Sequence, residues 1–248
     1  MKRIGVISDP HGNLPALEAV LAELEREELD GVVCLGDLAV GPQPSETLAR
    51  VLALDCPVVK GNWETWFCDG IPAPVDEIGE KLLEIGEFWK AQLSSEELQV
   101  LDRLPATVDL DLGDGLSALC FHGSPSSNEE GIYSVTPDET LEQILGDARP
   151  PVVLCGHTHI QMLRRLEHVL VVNPGAIGLP FSEWAPHIIA IAPWAEYGIL
   201  SHDEGRLHVD LRRTTYDVAA MLEVSRASGM PHADWWADCW QLDRLRAG

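Results

Sequence analysis

Apolar and polar positions along this chain change period several times, and each change marks a new element. Lys2-Arg3-Ile4-Gly5-Val6-Ile7-Ser8 is a short β-branched run that predicts a buried strand. From about Asn13 the spacing becomes helical: Leu14, Leu17, Leu21 and Leu24 recur at three- and four-residue steps. Asn13 is placed to cap that helix, and Pro15 is tolerated in its first turn. Val32-Val33-Cys34-Leu35 predicts a second strand, Ser45 opens a second helix through Leu52, and Pro57-Val58-Val59 predicts a third, shorter strand. This order of strands and helices predicts a parallel sheet with right-handed crossovers.

From Glu64 to Leu104 the pattern is helical, which marks a helical insert at about 64–104. Ser94 and Glu97 form a capping box ahead of Leu98, Leu101 and Leu104, and Pro105 ends the segment. Thr107 to Leu112 then alternates, Gly113-Asp114-Gly115 turns, and Leu116 to Phe121 returns as the second arm of a hairpin. A helix over Asp138–Leu145 is followed by strands at Val152–Cys155, Gln161–Arg165, Val169–Val172, His187–Ala192, Tyr197–Ser201 and Arg206–Leu211. Parallel units followed by hairpin-connected strands predict an α/β (α+β) fold, two sheets packed face to face with helices outside. With no internal repeat or low-complexity linker, residues 1–248 read as one domain with a C-terminal helical extension from about 214. Trp235, Trp236 and Trp240 lie there at helical spacing, suited to packing the last helix onto the core or onto a second subunit of a homo-oligomer.

Composition narrows the function. Against 17 Lys+Arg stand 40 Asp+Glu, a net charge of −23, with 46% apolar residues. A field of that sign repels phosphate backbones and anionic lipid heads, so nucleic-acid and membrane-surface partners are disfavoured, and it attracts divalent cations. No run approaches ~18 apolar residues, so no membrane span is expected. The six cysteines form no CxxC pair, which implies a reducing, cytoplasmic compartment.

The chemistry sits where strands end, as ligand sites in α/β sheets do. After the first strand comes Asp9-Pro10-His11-Gly12-Asn13, after the second Gly36-Asp37, after the third Gly61-Asn62. Phe121-His122-Gly123 follows the hairpin and Gly156-His157-Thr158-His159 the next strand. Each block alone has an ordinary explanation as a cap or turn, but together they collect two Asp, one Asn and four His. Seven such donors exceed one tetrahedral zinc and suit two five- or six-coordinate transition metals sharing a carboxylate. Two ions ~3.5–4 Å apart hold a bridging hydroxide and clamp an in-line displacement at phosphorus.

These five blocks, in this order and spacing, resemble the signature of the calcineurin-like metallophosphoesterase superfamily over about residues 3–178. With Asn173-Pro174-Gly175 they are similar to its compact bacterial and archaeal phosphodiesterases. The resemblance implies a four-layer α/β/β/α sandwich and a hydrolase using two divalent ions: manganese first, with iron, nickel, zinc or cobalt as alternatives. It implies that Asp9, His11 and His159 hold the first ion, that Asp37 bridges, and that Asn62, His122 and His157 hold the second. Catalysis then passes through Asp37, Asn62 and His122 by way of the metals, on a small phosphoester substrate. Two other readings stay open: a phosphomonoesterase acting on proteins or nucleotides, and a non-catalytic metal-binding scaffold.

One block departs from the pattern. The family usually has Gly-Asn-His followed by an acid, whose His helps to protonate the leaving group, whereas here Gly61-Asn62-Trp63-Glu64 stands. An indole cannot transfer a proton at neutral pH, so the substitution favours diesters, or esters with acidic leaving groups, over alkyl phosphomonoesters. His187 and His202 are the candidate replacements. Trp63, Trp66, Phe67 and Trp89 form an aromatic group in the insert, suited to burying it against the sandwich or to stacking an aryl group or nucleobase.

Overall fold

The computed structural model describes residues 1–147, 150–185 and 188–241. In chain order the elements are β1 (Lys2–Ile7), α1 (Leu14–Leu24), β2 (Gly31–Cys34), α2 (Pro44–Leu52), α3 (Asn62–Asp69), α4 (Glu77–Lys90) and α5 (Ser95–Asp102). Then follow β3 (Thr107–Asp111), β4 (Ser117–Phe121), α6 (Asp138–Leu145), β5 (Val152–Leu154), β6 (Met162–Leu166) and β7 (Val169–Asn173). The chain continues through β8 (Phe181–Ala185), β9 (Ile188–Ile191), β10 (Ala195–Asp203), β11 (Arg206–Thr214), α7 (Val218–Ala227) and α8 (Ala233–Asp238).

Two large mixed sheets result, ordered β11-β10-β1-β2 and β3-β4-β5-β7-β6, with β8 and β9 as a separate pair. β1 and β2 run parallel, as do β4, β5 and β7, while β10 runs antiparallel to β1 with Gly5 opposite Ile199. The period of two in the strands sorts side chains between layers. Ile4, Val6, Val33 and Leu200 face Ala118, Cys120, Val152 and Val172 across the inter-sheet core. The alternate residues Ile7, Cys34 and Ile199 turn outward to pack beneath Leu17, Val20 and Leu21 of α1. On the other sheet Phe121, Val153 and Val171 turn outward against Leu141 and Leu145 of α6. Each buried aliphatic contributes about 1.5–3 kcal/mol, and the outcome is helices outside two apposed sheets.

The caps read from the sequence are present. The Asn13 side chain accepts the Ala16 N–H at 3.2 Å, and Ser94 and Glu97 form their reciprocal box. One expectation needs correction. Pro57–Val59 is no strand but an isolated parallel bridge between Cys34 and Val58. Pro57 has no N–H to donate back to β2, so only Cys34 N–H to Pro57 O and Val59 N–H to Cys34 O join the two segments. β8 was not expected, because Phe181-Ser182-Glu183-Trp184 does not alternate cleanly after Leu179-Pro180. In the expected strand His187–Ala192, His187 lies outside the described residues and β9 covers Ile188–Ile191; residues 242–248 of the expected C-terminal extension also lie outside them. Among the described residues no helix is long and apolar enough to cross a membrane.

Candidate metal centre and its apolar cleft

The carboxyl ends of β1, β2, β4 and β5 share one rim, and the loops leaving them are stitched together by backbone bonds. Asp9 N–H donates to Gly36 O at 3.0 Å, His11 N–H to Asp37 O at 3.0 Å, and Gly156 N–H to His122 O at 2.8 Å. The chain must turn within one or two residues to aim each side chain inward. Asp9, His11, Asp37, His157 and His159 accordingly have φ between +48° and +66°. Non-glycine residues rarely adopt this left-handed conformation, and its concentration at one rim marks backbone held by its surroundings for a purpose.

All seven residues expected at the site converge here. Ligand atoms of Asp9, His11, Asp37 and His159 lie within 4.8 Å of one another and all four residues are buried. Asn62 Oδ1 lies 3.0 Å from His122 Nε2 and 2.9 Å from His157 Nδ1. Asp37 Oδ2 stands between the groups, 3.6 Å from His11 Nε2 and 3.4 Å from His122 Nε2. His159 Nδ1 donates to Leu179 O at 2.8 Å and His122 Nδ1 to Leu35 O at 2.6 Å, which leaves each Nε2 aimed into the cluster. Asp9 Oδ2 takes the Ser8 hydroxyl and the His157 N–H, but Asp9 Oδ1 is buried without a hydrogen-bond partner, as is His11 Nδ1. A buried carboxylate oxygen ringed by imidazoles and lacking a donor is what a cation satisfies, so the residues fit divalent metal.

Electrostatics point the same way. Burial opposes ionisation of Asp9, yet the imidazoles of His159 and His11 hold its carboxyl well below the usual range. Asp37 is likewise lowered against its burial, chiefly by His122. Burial works against a charge on His122, but Asp37 overrides it and raises that imidazole to about 10. Burial, reinforced by His122, depresses His157 to about 4.

Three further side chains support the ligands: Asn173 belongs to a turn the sequence had marked, whereas the contacts of Glu64 and Phe181 were not legible in it. Glu64 is buried and accepts the N–H groups of Asp37, Leu38 and Gly61 at 2.7–2.8 Å; burial, reinforced by Asp37, raises it to about 7. Asn173 clamps the loop after β5 through Gly156 O and Thr158 Oγ1. Phe181 stacks on the His159 ring at 4.6 Å.

The model of the calcineurin-like phosphoesterase superfamily domain matches residues 1–192. The chain belongs to this superfamily. It is 29% identical to an uncharacterized protein of Methanocaldococcus jannaschii over 99% of this chain and 98% of that one. A metallophosphoesterase from Sphaerobacter thermophilus is similar in structure, with a TM-score of 0.72, 28% identity and 94% and 96% of the two chains covered. A protein of Pyrococcus horikoshii shares the fold, with a TM-score of 0.78 at 21% identity over 93% and 95% of the chains.

In this chain Trp63 lines a cleft, with about 200 Å³ of room inside it, that also reaches His11, Asp37, Asn62, His157 and His159. The remainder of the cleft wall is apolar, with Trp66, Leu82, Ile85, Trp89, Phe181 and Trp236 prominent. Phe67 and Trp89 bury the insert as expected, while Trp63 and Trp66 are half-buried and meet edge to face at 4.9 Å. Trp236 and Trp240 pack on the core. His202 is no replacement acid: it pairs with Lys2 at the opposite end of β1 and faces Leu112 O, roughly 20 Å of strand from the rim.

Proposed function

We propose that this phosphoesterase is a dinuclear, metal-dependent phosphodiesterase. The observation that carries the proposal is the position of Asp37 Oδ2 between two donor groups. Asp9, His11 and His159 with Asp37 would hold one ion, and Asn62, His122 and His157 with Asp37 the other. Carboxylate and imidazole together favour manganese or another transition metal over calcium or magnesium. When bound, a pair of such ions supplies an activated water nucleophile and neutralises the charge that builds on the phosphoryl oxygens.

The chain's own residues bias the substrate. Trp63 occupies the position beside Asn62 from which an imidazole would protonate the leaving group, and its indole donates a hydrogen bond without transferring a proton. Such proton transfer is worth ~10²–10⁴-fold, so leaving groups that depart as stable anions are favoured, and alkyl monoesters lose most. The six cysteines are all free thiols, which supports a reducing cytoplasm as its compartment.

Metal analysis of the purified protein with hydrolysis of bis-p-nitrophenyl phosphate in Mn²⁺ tests this. The expected result is two metal equivalents per chain and diester hydrolysis that falls to the blank rate in Asp37→Ala. Wild-type activity in that variant, or near-zero metal with no hydrolysis, overturns it.

A further inference from the structure

We infer that the substrate carries one large, uncharged apolar ester arm, of aromatic-ring size or more, which lies in the cleft while the phosphoryl group faces the Asp/His cluster. The inference rests on the phosphodiesterase reading and adds the chemistry of the second ester group.

Three observations carry it. The first is continuity: one cavity, with about 200 Å³ of room inside it, joins the donor residues to a wall of Trp, Phe, Leu and Ile side chains, so the two ends bind parts of the same molecule. The second is charge. Among the described residues, no Lys or Arg lines the cleft. Lys60, Lys81 and Arg164 are paired with Asp102, Glu77 and Asp138 respectively. A polyphosphate, a nucleic-acid backbone or any arm with further anionic groups would be desolvated there with nothing to pair it.

The third is construction. α4 places Gly86 against the Trp63 indole, and a Cβ there would approach Trp63 Cζ3 to 2.5 Å and Ile71 Cδ1 to 2.8 Å. A glycine inside a helix costs about 0.5–1 kcal/mol relative to alanine. Here it lets the Trp63 indole lie directly against α4. Trp63 therefore exchanges a proton donor for a wall that selects the arm.

Two diesters with one leaving group separate the arm from the chemistry: p-nitrophenyl phenyl phosphate and p-nitrophenyl methyl phosphate. In both, a water oxygen forms the new P–O bond, p-nitrophenolate departs with the bonding pair, and the proton passes to solvent. With rates normalised to uncatalysed hydrolysis, kcat/KM for the phenyl arm is expected to exceed that for the methyl arm by at least about tenfold, the scale of burying one ring. Trp63→Ala removes the wall, and Gly86→Ala pushes it into the cleft without touching any donor. Each is expected to bring the ratio to within about threefold of one. Binding gives a readout besides turnover: diphenyl phosphate should change tryptophan fluorescence saturably at about tenfold lower concentration than dimethyl phosphate. A phenyl-to-methyl ratio near one in the native protein, with both diesters hydrolysed, overturns the inference and leaves the phosphodiesterase standing. Failure to hydrolyse either diester with Mn, Ni, Co, Zn or Mg removes the phosphodiesterase reading and this one with it.

Discussion

Glu64 accepts the backbone N–H of Asp37 at 2.8 Å, and the residue before it, Trp63, donates its own N–H to Asp37 Oδ1 at 2.9 Å. Asp37 is thus held from both ends by the first turn of α3. The second Glu64 oxygen takes Leu38 N–H, so one carboxylate joins the loop after β2 to the loop that carries Asn62.

Glu64→Ala is expected to leave three buried N–H groups unpaired at about 1–3 kcal/mol each, lowering stability by at least about 3 kcal/mol. Loss of an outer support for metal ligands typically weakens affinity 10–100-fold, and a manganese titration of the variant should show a loss of that order. Glu64→Gln keeps one of the two acceptor oxygens and should lose less than the alanine variant. Native-like affinity in Glu64→Ala would mean that Asp37 needs no such support.

Trp63→His is expected to raise turnover of alkyl phosphomonoesters by some fraction of the ~10²–10⁴-fold that a positioned acid supplies. Rates on p-nitrophenyl esters, whose leaving group needs little protonation, should change far less. No gain on alkyl esters at any pH from 5 to 9 would show that the missing acid is not what limits them.

The blocks around Asp9, Asp37, Asn62, His122 and His157 were legible because the residue types that bind metal also break strands, so polarity and periodicity mark the same positions. Alternation likewise made the sheet faces readable: Ile4 and Val6 look one way and Ile7 the other. What was not legible depends on contacts distant in sequence. Nothing local to Glu64 says that its carboxylate reaches back to Asp37, and the helical spacing of Trp235, Trp236 and Trp240 does not say that Trp236 roofs a cleft also lined by α4. The Pro57–Val59 run failed as a strand because Pro57 removes a ladder donor that hydrophobicity alone does not register.

Loading with Mn²⁺ is expected to raise Tm. An ion at 100 times its Kd stabilises the native state by about 2.7 kcal/mol, which for a chain of this size is roughly 5 °C or more. Excess chelator should reverse the shift. A Tm indifferent to metal and chelator would show that the buried Asp9 oxygen needs no cation.

Glu196, which is outside the proposed ligand set, provides a pH test. Burial raises its pKa above the ordinary 4.5, only partly offset by Trp194 and Arg213. The folded state therefore binds this proton more tightly than the unfolded chain. Its contribution is full below about pH 4.5 and is lost as pH rises through the folded value. Glu196→Gln should hold Tm at or above that of the native protein at pH 8 and give no gain at pH 4.5. A variant less stable than the native protein at pH 8 but not at pH 4.5 would reverse the sign.

The most direct measurement is anomalous diffraction from a manganese-soaked crystal. Two peaks about 3.5–4 Å apart are expected, with Asp37 between them, Asp9, His11 and His159 around one, and Asn62, His122 and His157 around the other. A single peak, or none at full manganese occupancy of the solution, would contradict a shared two-ion centre.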